Sequence, residues 1–304
     1  MEGYLSVKET VEKYIENSQA KSLMSSTRLF WKAVLAGTMI GFGAAASSVA
    51  AHTISDVGLA RLVAAIVFPV GLMMVILLGA ELFTGDCLIT MSVMDGRQKL
   101  QDAIRVMAIV YIGNFVGATL LTLLVSMSGQ LDYSKGMLGA YTIKVAVGKA
   151  NLSFAEGMIS GALCNILVCA AVLMAMCAKD IAGKLLAIFF TIMLFVTAGF
   201  EHCVANMYYI AAGLIAKGNP EYVKMAINTY GFTPEQLESL NLSNYVFANL
   251  LPVTIGNVIG GVLLFGVPMF LLNTKKEMKI NKMVSKEEEE NDVLCTTGFA
   301  DVAR

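Results

Sequence analysis

The chain has 304 residues, 57% of them hydrophobic and 15% charged, with a formal net charge of -1. A mean hydropathy of +0.69 excludes an ordinary soluble domain and places the chain among integral membrane proteins that meet a lipid bilayer. A pI near 6.2, with no basic segment interleaved with aromatic residues, gives no case for a nucleic-acid partner.

Residues 1 to 29 mix Lys8, Lys13, Lys21 and Arg28 with Glu2, Glu9, Glu12 and Glu16, so no cleaved signal is expected. Within them, residues 5 to 24 carry an amphipathic pattern too short to span, suited to the inner interface or to a solvated helix. Apolar stretches near residues 30 to 51, 58 to 95, 104 to 127, 154 to 178, 183 to 216 and 246 to 273 predict six crossings, since about 20 residues cross a bilayer as a helix. The second and fifth are too long for one crossing, and each is interrupted, by "GAELFTGDCL" (79 to 88) and "TAGFEHCVANM" (197 to 207). Residues 219 to 244 carry turn signals and one short amphipathic helix, an outer-face cap. Beyond residue 274 the chain turns basic and then acidic through "KEEEEND", a solvated tail. The expected domains are a cytoplasmic N-terminal helix (1–29), a transmembrane domain (30–273) and a cytoplasmic tail (274–304).

"IGNFVGA" (112 to 118) in the third crossing is repeated as "IGNVIGG" (255 to 261) in the sixth. Gly37 and Gly41 in the first crossing are matched to Gly157 and Gly161 in the fourth, small residues that let helices approach closely. Three crossings per half is an odd number, so the second half enters from the opposite side, and interrupted helices at matching places in such a repeat point to a transport site. With the N-terminus inside, the larger share of Lys and Arg falls on the cytoplasmic side, including the Lys275 to Lys286 cluster, which places both termini there. Cys87, Cys164, Cys169, Cys177 and Cys203 fall in or beside apolar spans without zinc spacing and read as small buried hydrophobes; Cys295 reads as a free thiol in the tail. No metal or cofactor is expected.

A helix break frees backbone N–H and C=O groups, which persist at membrane depth only in protein or against a cavity. Helix N-termini facing such a cavity carry partial positive charge and favour anions. His202, with an ordinary pKa of about 6.5, can exchange a proton near neutrality, or serve as a core histidine donating to a carbonyl. Thr84 at the other break can donate to an anion and accept from His202, or simply satisfy freed carbonyls. Glu81 and Glu201 stand in corresponding places and are expected as braces accepting from loop N–H groups. Asn165 and Asn206 are expected to tie loop backbone or line the cavity, and Asp86 to cap the following half-helix. Phe68, Leu72, Leu82, Phe83 and Phe195 lie close to the breaks, as constrictions or as ordinary apolar packing. Lys149, read as a loop residue before the fourth crossing, either draws anions to the outer mouth or is a solvated charge. His52 is expected to be interfacial and inert.

"ELFTGDCL" (81 to 88), "GALCNILVCAAVLMA" (161 to 175) and "FVTAGFEHCVANM" (195 to 207) resemble signatures of the formate/nitrite transporter family over roughly residues 5 to 273. The resemblance implies an all-α integral membrane fold, an aquaporin-like six-helix bundle with an inverted 3+3 repeat and interrupted second and fifth helices, assembled as a homopentamer in the cell inner (plasma) membrane. It implies an inner constriction of Leu72, Leu82 and Phe83, an outer one of Phe68 and Phe195, a central pair Thr84 and His202, an outer cation Lys149, and supports Glu201 and Asn165. Asp86 departs from the family's usual Asn, and "FTGD" leans toward the hydrosulfide branch. The expected function is a channel for small inorganic or organic monovalent weak-acid anions (formate, nitrite or hydrosulfide), not an enzyme. A proton-coupled symporter of the same anions is the alternative. An aquaporin-type neutral-solute channel is disfavoured by the lack of an NPA tripeptide, and an intramembrane enzyme by the lack of a nucleophile motif.

Overall fold

The computed structural model describes residues 3–274, so Cys295, the Lys275 to Lys286 cluster and nearly all of the predicted tail lie outside the described residues. The described chain is helical apart from loops and one isolated bridge between Tyr4 and Ala178. Its elements are α1 Val7–Ser22, α2 Ser26–Ala51, α3 Val57–Leu77, α4 Phe83–Met94, α5 Leu100–Met127, α6 Met137–Ala150, α7 Phe154–Cys177, α8 Ile181–Ala198, α9 Cys203–Lys217, α10 Pro220–Tyr230, α11 Pro234–Glu238 and α12 Leu242–Asn273. Among the described residues, six helices (α2, α3, α5, α7, α8 and α12) have the length and apolar composition to cross a membrane, and α4 and α9 are shorter apolar helices. The six crossings and both interruptions therefore fall where hydropathy places them, and the chain is a multi-pass membrane protein.

Two features fix the breaks locally. Pro69 lacks an N–H and bends α3 beside Phe68, and Gly79 closes the helix in the left-handed region at φ +67°, where a side chain would be strained. At the other break Gly199 ends α8 at φ +75°. α12 spans its length with two stretches of wider π-type winding, Tyr245–Leu250 and Ile259–Gly266, each ending two residues before a proline (Pro252 and Pro268) whose missing N–H the wider turns accommodate.

The long helices are seated backbone to backbone. A Cβ on Gly117 would lie 2.0 Å from the Val34 carbonyl oxygen, and one on Gly260 would lie 2.1 Å from that of Ala162. The pairs α2–α5 and α7–α12 are thus built alike. The equivalence corrects the glycine matching, because Val34 answers to Ala162 and so Gly161 answers to Ala33, one helical turn before Gly37.

The same 128-residue spacing that relates Ala33 to Gly161 relates Ser25 to Ser153, the capping residues of α2 and α7, and Lys21 to Lys149. The repeat therefore begins earlier than the crossings: α1 answers to α6. Sequence reasoning left α6 unassigned, because its 14 residues are too few and too mixed in polarity to announce a span. α1 is neither free nor merely interfacial. Val11, Tyr14 and Ile15 are buried with Leu88, Met91 and Leu173, and Leu5 N–H donates to the Cys177 carbonyl at 2.8 Å. Between residues 219 and 244, α10 and α11 replace the single short helix expected there.

Candidate functional site

Each break is stapled by one buried asparagine. At the α3/α4 break, Asn114 of α5 accepts from Phe83 N–H at 2.9 Å and donates to the carbonyls of Ala33 (2.8 Å) and Glu81 (3.0 Å). At the α8/α9 break, Asn257 of α12 accepts from Cys203 N–H at 2.9 Å and donates to the carbonyls of Gly161 (2.7 Å) and Glu201 (3.0 Å). Backbone groups freed by the breaks are thereby met inside the protein, as an apolar surrounding demands. Sequence reasoning missed both residues. The signal was present, since each is the Asn of the repeated "IGN".

Each break also presents a glutamate to a lysine from the helix that opens its half. Glu201 lies 2.9 and 3.0 Å from the Lys149 ammonium and accepts from Asn206 Nδ2 at 2.6 Å. Asn206 in turn donates to Asn249 (2.8 Å), whose amide donates to the Lys149 carbonyl (2.9 Å), closing a ring of contacts. Glu81 lies 2.6 Å from the Lys21 ammonium and 3.6 Å from that of Lys32. The two glutamates are the braces expected of them, but their main partners are lysines rather than loop N–H groups.

Lys149 is no loop residue. It occupies the last turn of α6, where a cation complements the helix dipole, and its charge is matched by Glu201. Asp86 does not cap the half-helix. It already has helical backbone angles at the end of α4's first turn, and its carboxylate meets Lys21 at 2.6 Å, a partner 65 residues away. Tyr14 of α1 adds a 3.0 Å bond to the Gly85 carbonyl, so α1 is held to the α3/α4 break by a phenol and an ammonium.

Between the breaks, the Thr84 hydroxyl and His202 Nε2 are 2.9 Å apart, and both side chains are buried. His202 is the N-cap of α9, and its Nδ1 accepts from Ala205 N–H at 3.1 Å. A backbone N–H can only donate, so the ring proton of the neutral imidazole sits on Nε2 and points at Thr84. A second ring proton would have to displace the Ala205 N–H.

Two cavities flank this pair. The one on the Lys149 side, outer in the orientation proposed below, is about 410 Å³ and is lined by Arg61, Phe68, Lys149, Phe195, Glu201 and His202 among others. The inner one, about 310 Å³, is lined by Leu72, Leu82, Glu81 and Asp86 together with Tyr14 and Lys21 of α1. The rings of Phe68 and Phe195 meet edge to face at 5.7 Å, and Phe195 stacks over His202 at 6.1 Å. Phe83 is buried at the break with its ring against Tyr111 at 4.9 Å, and it does not line the inner cavity beside Leu72 and Leu82. Asn165 faces neither cavity: it donates to the Asn257 carbonyl at 2.7 Å and ties α7 to the asparagine staple. His52 ends α2, with Nε2 2.8 Å from the Ser134 hydroxyl.

Two half-length helices stapled at matching breaks, with a buried hydroxyl–imidazole pair between two cavities, define a membrane protein of the pore-forming transport class. The model of the family described as "Formate/nitrite transporter" matches residues 8–271, and the chain belongs to that family. It is 38% identical over 212 residues to "Formate channel FocA" of Haemophilus influenzae, covering 69% of this chain and 73% of that one. Among solved structures it is similar to a "Pentameric formate channel with formate bound" (TM-score 0.72, 30% identity, 81% of this chain and 97% of the other). It is also similar to an "FNT family ion channel" (TM-score 0.72, 26% identity, 88% and 99%).

Proposed function

We propose that the chain is a channel for small monovalent weak-acid anions, formate first among them, working as a homopentamer with one passage per subunit in the plasma membrane and with both termini cytoplasmic. Residues 1–29 form its inner helix, 30–273 the passage, and 274–304 a cytoplasmic tail. Relatives named as formate channels and a pentameric neighbour support this reading, and they favour formate over the hydrosulfide branch suggested by "FTGD".

The observation that carries it is the 2.9 Å Thr84–His202 pair, buried between the outer and inner cavities. An anion entering the outer cavity sheds water at the Phe68/Phe195 slit and meets the His202 Nε2–H and the Thr84 hydroxyl, whose hydrogen is free to turn toward it. An unpartnered charge in a low dielectric is prohibitively costly, whereas a hydrogen-bonded anion or its neutral acid is far cheaper. The anion then leaves past Leu72 and Leu82. Weak-acid anions gain from this route because they can cross as the acid: His202 Nδ1 takes a proton from vestibule water, displacing the Ala205 N–H, as the Nε2 proton passes through the Thr84 hydroxyl to the anion, so the ring ends neutral; chloride cannot.

In proteoliposomes, formate flux through the wild type rises as pH falls from about 7 to 5, where more of the acid forms. His202→Leu lowers flux about tenfold to a hundredfold, the worth of one charge-assisted hydrogen bond of about 1.5–3 kcal/mol, and flattens the pH profile. A variant with wild-type flux, wild-type pH dependence and the same formate-to-chloride preference would remove the central pair from the mechanism. Formate current exceeding proton movement separates a channel from stoichiometric symport.

A further inference from the structure

We propose that Arg61 captures the anion in the outer vestibule, and that its guanidinium fork selects anions with two coplanar oxygens, formate and nitrite, over single-headed ones such as hydrosulfide. This deepens the channel reading above and rests on it. The outer cavity has three cationic side chains on its wall, Arg61, Lys144 and Lys149. Lys149 is compensated by both oxygens of Glu201, so an arriving anion meets a pair with little net charge. Lys144 is spread over the rings of Tyr141 and Tyr230, at 5.6 and 4.7 Å. Arg61 forms no ion pair among the described residues and is exposed to the vestibule.

Its placement is built by both sides of the outer break. Arg61, Ala64 and Phe68 all line the cavity and stand at i, i+3 and i+7 on α3, one stripe that runs about 10 Å along the helix from Arg61 to Phe68. Across the cavity the guanidinium rests on Gly199, where a Cβ would lie 2.1 Å from Nη1. Gly199 stands two residues ahead of Glu201 at φ +75°, where a side chain would be strained. The guanidinium thus reaches over the loop that carries His202. A planar fork donates two parallel N–H groups to a formate or nitrite and only one useful contact to HS⁻.

The test compares wild type, Arg61→Gln and Arg61→Lys in proteoliposomes, measuring flux against concentration of formate, nitrite and hydrosulfide. Arg61→Gln is expected to raise the half-saturating formate and nitrite concentrations about tenfold, with maximal flux falling far less, and to move that of hydrosulfide less than about twofold. Arg61→Lys keeps the charge but not the fork, and leaves formate half-saturation raised. The proposal is overturned if Arg61→Gln leaves formate half-saturation unchanged, if it moves formate and hydrosulfide equally, or if Arg61→Lys matches the wild type. Calorimetric titration of the purified full chain with sodium formate separates capture from conduction. Absence of formate flux in the wild type, with binding heat still lost in Arg61→Gln, defeats the channel reading and upholds the capture site. Heat that is absent, or equal in both proteins, defeats the capture site.

Discussion

Asn257→Ala is expected to lower the stability of the fold by about 3–9 kcal/mol, because it strands the Cys203 N–H and the Gly161 and Glu201 carbonyls, each of which costs about 1–3 kcal/mol when buried without a partner. Thermal unfolding of the purified protein in detergent measures it, and Asn114→Ala is expected to act alike at the other break. Asn257→Asp separates the roles of the amide: it keeps the acceptor for Cys203 but brings a buried carboxylate against two carbonyls, so it should be no milder than alanine. An alanine variant melting within a degree of the wild type would mean that water, not the asparagine, meets those groups.

Lys149→Met comes second in size. It removes the cation from a carboxylate that is nearly buried, and breaking such a pair on one side costs about 3–5 kcal/mol. Asn206 alone then supports Glu201. The double variant Lys149→Met/Glu201→Gln is expected to recover most of the loss, since a neutral amide needs no counter-charge there. If the single variant is as stable as the double, the pair is a bystander. Flux separates the structural from the steering role: the double variant folds and conducts if Lys149 serves mainly to hold Glu201.

Much of this architecture is legible in the sequence because lipid imposes simple rules. Six apolar stretches of crossing length, and two polar interruptions that membrane depth tolerates only inside protein or against a cavity, led directly to α3/α4 and α8/α9. Glu81 and Glu201 were matched correctly because each lies beside its break in the same local setting. What stayed hidden depended on partners far apart in the chain. Asp86 resembles a capping residue until α1 brings Lys21 to it, and Lys149 resembles a loop lysine until α6 folds against Glu201. Asn114 and Asn257 lay inside a repeat that was recognised, yet their work is done on the backbone of other helices, which no local pattern reports.

The touching backbones at Gly117 and Gly260 bear on how fast solutes can cross. Helices seated carbonyl against Cα have little slack to slide past one another, so α2 with α5 and α7 with α12 each hold together as a unit. What can yield are side chains that line the cavities, such as Phe68 and Leu72, and rotamer hops of that kind take picoseconds to nanoseconds rather than the microseconds to milliseconds of collective rearrangements. Tightness within each half leaves quick adjustments along the proposed passage to side chains rather than to helices.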